Sequence, residues 1–383
     1  MKADEGKIKE ILEKGTAEVI ERAHLEQALR SGRKLKVKFG IDPTAPDLHL
    51  GHMVLLRKLR QFQDLGHLAI LIIGDFTARI GDPSGKETAR KPLKEAEIKQ
   101  NTKKYLNQAG KIIDIKKAKI LHNSRWLCDA SLPITLSAKV SVQQVLERED
   151  FQKRLSAHQS ITMLELLYPL FQGYDSVAVN ADVEIGGNDQ KFNLIAGRKI
   201  QRAFNIPEQD ILTAPLLVGT DGVKKMSKSA GNYIALDEKP NEMFSKIMMV
   251  PDKEVDNYFS LLTDIMPQAQ NIKPMEAKKN LAWEIVKNFY GEKEANKAKE
   301  YFEKTFSKKE TPEDLKNYKV KAGESWINFL LGNKFAFSRT GAKRLLSGGA
   351  IELDGVKVVW AGEKITKSGV AKIGKYKYIK IEV

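Results

Sequence analysis

The chain has 383 residues, 42% of them apolar, enough for more than one packed core, which excludes a disordered chain. Its longest apolar run, Leu68–Ile73, is far short of the roughly 20 residues a membrane span needs, and the charged N-terminus predicts no export. A formal charge of +15 favours a polyanionic partner, and a single cysteine, Cys128, rules out an internal disulfide or a Cys-based zinc site and predicts a cytoplasmic protein.

From Lys36 to about Leu236, short apolar runs alternate with helical patterns. Strands are predicted at 35–41, 68–73, Ser176-Val-Ala-Val and Ala214-Pro-Leu-Leu-Val, in a parallel α/β sheet. Polar residues follow these runs, so ligands are expected at the carboxyl ends of the strands. After Pro240 the strand signals give way to Lys/Glu-rich helical periodicity, as in Ala282-Trp-Glu-Ile-Val-Lys-Asn-Phe-Tyr. The polar stretch Ser307-Lys-Lys-Glu-Thr-Pro-Glu-Asp reads as a linker to a third, small domain. That domain is basic: residues 321–383 carry twelve Lys or Arg against five acids. The expected division is a catalytic α/β domain over 1–236, a helical domain over 237–318 and an α+β domain over 319–383.

Two strings carry the chemistry. In Phe39-Gly-Ile-Asp-Pro-Thr-Ala-Pro-Asp-Leu-His-Leu-Gly-His52, a strand breaks at Asp42-Pro43 and a helix begins near Asp47, with His49 and His52 three residues apart. A helix start offers N–H groups and a positive dipole end, Gly51 lets a flat base approach, and the imidazoles can donate to phosphate oxygens. The string alone does not separate such a nucleotide site from a surface pair of histidines. Zinc fails for want of a third ligand, and no structural metal is predicted. The second string is Gly219-Thr-Asp-Gly-Val-Lys-Lys-Met-Ser-Lys-Ser229, which sets Lys225 and Lys228 in a Gly- and Ser-rich loop. Two ammonium groups on a mobile loop suit a triphosphate whose leaving pyrophosphate gains charge in the transition state.

Together, His-Leu-Gly-His52 and Lys225-Met-Ser-Lys-Ser229 resemble the paired signatures of class I aminoacyl-tRNA synthetases, whose catalytic domain is Rossmann-like. Between them, Asp42-Pro-Thr-Ala, Ile80-Gly-Asp-Pro-Ser-Gly-Lys86, Tyr168-Pro-Leu-Phe-Gln-Gly-Tyr-Asp175 and Ile185-Gly-Gly-Asn-Asp-Gln190 resemble motifs of the bacterial tyrosyl-tRNA synthetase family. The resemblance implies that Asp82, Tyr168 and Gln172 hold the substrate ammonium, that Asp175 accepts the phenol proton, and that Gln190 meets the carboxylate. It places Asp189 near the ATP ribose, lets Gly187 admit the nucleotide closely, and sets Thr44, His49, His52, Lys225 and Lys228 on the phosphates. L-tyrosine, ATP with Mg²⁺ and tRNA(Tyr) are the implied substrates, and a homodimer the implied assembly. Independently of the family, Tyr168, Gln172 and Asp175 recur at i, i+4 and i+7 on one helical face, a spacing that core packing fills with apolar residues.

Two positions depart from the family. Lys38 stands where one branch has a second phenol-recognising tyrosine, and Gln144 where the branch resembled here has an arginine. A tryptophanyl enzyme shares both signatures, but Asp175 argues against it. A doubly wound oxidoreductase needs a Gly-x-Gly-x-x-Gly turn that the first strand lacks. An RNA-binding protein without activity would not need both signatures intact.

At the C-terminus, Ser325-Trp-Ile-Asn-Phe-Leu-Leu opens a helix, and the stretch from Ser338 to Lys357 reads as helix, glycine turn and hairpin, resembling the S4 RNA-binding module. Arg339, Lys343 and Arg344 share a basic helix face suited to phosphates. The closing Gly374-Lys-Tyr-Lys-Tyr-Ile-Lys-Ile is expected as an edge strand.

Overall fold

A computed structural model describes residues 4–83, 93–265, 273–307, 315–333, 335–336, 338–374 and 377–383. The chain divides into two compact units: Met1–Ser227 with Asn232–Asp237 and Lys253–Asn271, and Lys228–Gly231 with Glu238–Asp252 and Ile272–Val383. Ser84, Gly85 and Lys86 of the Ile80 motif, residues 308–314 of the expected linker, and Lys334, Lys375 and Tyr376 lie outside the described residues.

The first unit is built on a six-stranded sheet of β1 (Glu18–Ile20), β2 (Lys36–Ile41), β3 (Leu68–Ile73), β4 (Lys119–His122), β5 (Val183–Gly187) and β6 (Asp210–Ala214). Their order is β1-β6-β5-β2-β3-β4, parallel except for the pairing of β1 with β6. The chain runs outward one way through β2, β3 and β4 and the other way through β5 and β6. The switch point is therefore between β2 and β5, and a crevice opens at their carboxyl ends. β3, Leu-Ala-Ile-Leu-Ile-Ile, is almost wholly buried, as expected of a parallel strand covered on both faces.

Two strand expectations are corrected, and one strand was not anticipated. Ser176-Val-Ala-Val is not a strand but the last turn of the helix Met163–Val179, which Thr162 and Glu165 start as a capping box and Asn180 ends in the left-handed region. The neighbouring strand is β5, four residues further on. Ala214-Pro-Leu-Leu-Val begins at the end of β6, because Pro215 has no N–H to continue the ladder. β4 carries too weak an alternation to have been read as a strand.

The helix expected near Asp47 starts instead at Leu50, with His49 as its cap. It packs beside the helix Val255–Leu262, whose Tyr258 hydroxyl donates to the Val218 carbonyl at 2.5 Å.

The second unit holds the helices Pro240–Ile247, Pro274–Tyr290 and Glu292–Phe302, which pack on one another. Its C-terminal part has a five-stranded sheet of β7 (Asn317–Lys319), β9 (Ile351–Leu353), β10 (Val356–Lys357), β12 (Gly369–Ile373) and β13 (Lys377–Glu382), ordered β10-β9-β12-β13-β7. β8 (Glu324–Ser325) and β11 (Lys364–Ile365) form a separate pair. The closing strand β13 is not an edge strand: it runs antiparallel to β12 and parallel to β7, which takes the edge instead. Asp354 and Gly355, both at positive φ, make the expected β9–β10 turn. Trp326, Phe329, Leu330, Ile351 and Ile379 are among the side chains forming the core beneath.

Candidate active site

The crevice holds a cavity of about 290 Å³. Thr44, His49, Gly51 and His52 border it after β2. Asp82, Tyr168, Gln172, Asp175 and Gln190 form another part of the wall, and Gly187, Asp189 and Lys225 a third. Twelve residues singled out from separate strings thus meet in one place. Lys228 belongs to the short segment Lys228–Gly231 of the second unit, where the Gly231 N–H donates to its carbonyl at 3.1 Å. Arg339, Lys343 and Arg344 are exposed on the helix Arg339–Ser347, which is capped by Ser338 and buries Ala342 and Leu346 beneath.

Asp42, at the break after β2, organises the first part of the site. One carboxylate oxygen accepts from the Tyr168 hydroxyl at 2.9 Å and the other from Thr77 Oγ1 at 2.7 Å. A side chain at Gly74 has no room, since its Cβ would lie 1.9 Å from Asp42 Oδ1. Burial, with the charges of Asp42 and Asp82, holds the Tyr168 phenol well above its ordinary pKa, so it stays a neutral donor.

Asp175 lies about two turns along the same helical face from Tyr168 and is 4% exposed. Trp126 Nε1 donates to one oxygen at 2.8 Å and Asn123 Nδ2 to the other at 3.4 Å. The Asn123 amide is oriented by the Phe76 N–H, which donates to its Oδ1 at 3.0 Å, so the NH₂ faces Thr77 Oγ1 and Asp175. Burial pushes the Asp175 carboxyl up to about 7, against the opposing pull of Lys38 and of the Trp126 and Asn123 hydrogen bonds. Sequence reasoning missed Asp42 as a site residue, and Asn123 and Trp126 altogether. The Asp-Pro strand break marks the first; nothing local marks the other two.

Lys38 is fully buried and its charge is answered. Its ammonium donates to Glu184 Oε1 at 2.8 Å, Ser176 Oγ at 2.7 Å and the Gln172 carbonyl at 3.0 Å. Glu184 also accepts from Ser176 Oγ at 3.2 Å and from Gln209 Nε2. The departure at position 38 is therefore an ion pair bracing the helix that carries Gln172 and Asp175. The other departure, Gln144, is N3 of the helix Val142–Leu146 and closes a capping box with Ser141.

The two histidines cap their helix reciprocally. The Gly51 N–H donates to His49 Nδ1 and the His49 N–H to His52 Nδ1, each at 3.2 Å, with the ring centroids 3.9 Å apart. Because Nδ1 accepts in both neutral rings, the ring proton sits on Nε2 and each imidazole is a donor there. Backbone bonds tie this string to the end of the lysine loop: the Leu50 N–H donates to the Ile234 carbonyl at 3.0 Å, and the Leu236 N–H to the Leu48 carbonyl at 2.9 Å.

Within the loop, the Asn232 side chain accepts from the Ser227 N–H at 2.8 Å and donates to Asp221 Oδ2 at 3.0 Å and to the Lys224 and Lys225 carbonyls at 3.2 Å. Lys225 Nζ pairs with Asp189 Oδ2 at 2.6 Å. Gly187 leaves space that a Cβ would close, since one there would lie 2.7 Å from Asp189 Oδ1. Gln190 Nε2 donates to Asp82 Oδ2 at 2.7 Å.

The model of the family described as tRNA synthetases class I (W and Y) matches residues 30–307, so the chain belongs to the class I aminoacyl-tRNA synthetases. A tyrosine–tRNA ligase of Aquifex aeolicus (strain VF5) is 48% identical over 97% of both chains. One of Thermotoga maritima is 43% identical, covering 97% of this chain and 96% of its own. The chain belongs to the bacterial tyrosyl-tRNA synthetase family. Two solved structures share the fold. Archaeoglobus fulgidus tyrosyl-tRNA synthetase complexed with L-tyrosine has a TM-score of 0.62 at 20% identity, covering 77% of this chain and 98% of that one. The C-terminally truncated mitochondrial tyrosyl-tRNA synthetase of Aspergillus nidulans has a TM-score of 0.65 at 21% identity, covering 78% and 94%.

Proposed function

We infer that the cavity takes L-tyrosine and ATP, as its Mg²⁺ complex, and forms tyrosyl-adenylate, from which the tyrosyl group passes to the 3′ end of tRNA(Tyr). The tyrosine carboxylate attacks the α-phosphorus, a P–O bond forms and pyrophosphate leaves. A terminal ribose hydroxyl of the tRNA then attacks the acyl carbon, and AMP leaves. No enzyme nucleophile is needed, so the protein's contribution is positioning and charge stabilisation.

The observation that carries this reading is Asp175, a buried carboxylate in the cavity wall held by Trp126 and Asn123. It suits a ligand hydroxyl that donates to a carboxylate withdrawn from water. The Tyr168 hydroxyl donates its hydrogen bond to Asp42, so its oxygen lone pairs, with Asp82 and Gln172, are left to meet the ammonium. Gln190 meets the carboxylate, Asp189 the ribose, and Gly51 and Gly187 make room for the nucleotide. Thr44, the Nε2–H donors of His49 and His52, and the ammonium groups of Lys225 and Lys228 stabilise the phosphates.

The same reading assigns catalysis to residues 1–236, an anticodon-arm contact to the helices of 237–318 and RNA binding to 319–383 through Arg339, Lys343 and Arg344. A homodimer is supported by Ile134, Val142, Met163 and Leu164, large apolar side chains that are 48–76% exposed within one stretch. The same reading places the enzyme in the cytoplasm; no helix among the described residues is long and apolar enough to cross a membrane.

The test is ATP–pyrophosphate exchange with each of the twenty amino acids supplied separately and without tRNA. Exchange with tyrosine alone is expected; exchange with tryptophan would overturn the Asp175 assignment, and silence with all twenty would favour RNA binding without activation. Lys228→Ala is expected to depress adenylate formation while leaving tyrosine binding nearly intact.

A further inference from the structure

Outside the cavity, Arg148 is 4% exposed at the start of the helix Glu149–Ser156. Its guanidinium is held on several sides. Nε and Nη2 donate to the two oxygens of Asp150 at 3.0 and 2.9 Å, and the group lies 4.9 Å from the Phe151 ring centroid and 5.2 Å from that of Phe192. Its Nη1 donates to Oδ1 of the fully buried Asn193 at 2.7 Å. Asn193 Nδ2 donates to Gln190 Oε1 at 2.9 Å, and Gln190 Nε2 to Asp82 Oδ2 at 2.7 Å.

These four side chains form a hydrogen-bond chain with one permitted direction. A guanidinium only donates and a carboxylate only accepts, so each of the two amides between them has a single orientation that satisfies both neighbours. Turning Asn193 over would set NH₂ against the guanidinium; turning Gln190 over would set a carbonyl against the Asp82 carboxylate. Either leaves like polar groups opposed, with Arg148 and Asn193 buried and Gln190 and Asp82 half-buried, so neither flip is tolerated. The arginine end, being wedged between two rings and a carboxylate, cannot adapt; the cavity end can.

We propose that Arg148 is a positioning residue for tyrosine activation: through Asn193 it fixes the amide orientation of Gln190 and so the placement of Gln190 and Asp82 against the amino and carboxylate groups of the substrate. The proposal rests on the assignment of Gln190 and Asp82 to those groups. It also ties substrate recognition to the segment that carries the exposed apolar side chains Ile134 and Val142.

The experiment is a double-mutant cycle of Arg148→Met and Gln190→Ala in the full-length protein, read as KM for tyrosine, KM for ATP and kcat in pyrophosphate exchange, with thermal unfolding measured alongside. Arg148→Met is expected to raise the tyrosine KM about tenfold, the scale of one lost buried hydrogen bond, with the ATP KM nearly unchanged. In the Gln190→Ala background the same change should move the tyrosine KM less than about twofold, because the route is already cut. Arg148→Lys keeps a donor toward Asn193 and should recover most of the loss, which guards against a methionine variant that folds poorly. A lowered melting temperature with an unchanged tyrosine KM, or effects that multiply in the cycle, would overturn the proposal. An unchanged tyrosine KM in Gln190→Ala alone would instead overturn the assignment beneath it, and the proposal with it.

Discussion

Two ion pairs beside the cavity are made from the same chemistry in opposite surroundings. Lys38 and Glu184, behind the helix that carries Asp175, have side chains 0% and 1% exposed, and each makes further hydrogen bonds. Lys225 and Asp189, at the lysine loop, are 39% and 24% exposed. A charge out of water must be answered at fixed geometry, so the first pair can hold a carboxylate and a helix in place but cannot move. A charge at the surface is screened and inexpensive to release, so the second pair can separate when a more negative partner arrives. Recognition of the amino acid calls for the rigid arrangement, and stabilisation of a charge that appears only in the transition state calls for the loose one.

The sharpest way to break that contrast is Lys38→Met. It leaves Glu184 buried and charged, and breaking a buried pair from one side costs about 3–5 kcal/mol. Urea denaturation should show that loss, and the double change Lys38→Met with Glu184→Leu should recover most of it. If the single variant is as stable as the parent, the pair is not the brace described here.

Asp175→Asn comes next. It removes the charge that accepts the phenol proton while keeping the Trp126 and Asn123 contacts in part. The kcat/KM for tyrosine should fall by roughly 10- to 150-fold, the worth of a hydrogen bond to a charged group, with much less change for phenylalanine. Discrimination between the two amino acids, measured by pyrophosphate exchange, should narrow accordingly.

The same carboxylate sets a pH dependence. With its pKa raised to about 7 by burial, Asp175 is ionised and able to accept above that pH and is protonated below it. Tyrosine kcat/KM should therefore rise with pH through the region of 7 and level off, falling about tenfold per unit on the acid side. Phenylalanine, with no proton to donate, should lack that limb, and Asp175→Asn should flatten it for tyrosine. A tyrosine profile already flat from pH 6 to 8 would show that the carboxyl is ionised throughout.

Much of this site is written in short strings, and those were readable. The two histidines and the paired lysines sit within a few residues of each other, and the i, i+4, i+7 spacing of Tyr168, Gln172 and Asp175 names its own helix face. What was hidden depends on pairings across the sheet. Asn123 and Trp126 reach Asp175 from beyond β4, about 50 positions away in the chain, and an isolated asparagine or tryptophan looks like any other. Glu184 made β5 hard to see, because a buried strand carrying a glutamate is reasonable only once Lys38 is known to stand beside it. Ser176-Val-Ala-Val looked like a strand for a related reason: its β-branched residues favour extension locally, but the capped helix upstream and packing on the helix Lys191–Ala203 decide otherwise.

The smallest effect is expected at the exposed pair. Asp189→Asn removes the partner of Lys225, yet surface ion pairs are worth about 0–1 kcal/mol, so unfolding stability should stay within that range of the parent. Raising the salt concentration from about 0.1 to 1 M, which shortens the screening length from about 10 to 3 Å, should erase even this difference, whereas the Lys38→Met deficit should persist. The variant's activity is a separate matter, because Asp189 is assigned to the ribose and its loss should appear in the ATP KM. A stability loss at Asp189 as large as that at Lys38 would mean that the loop is braced by its ion pair. The ability of Lys225 to leave Asp189 for a phosphate would then have to come from a compensating contact elsewhere in the loop, for which the Asn232 side chain, with its four hydrogen bonds to the loop, is the obvious candidate.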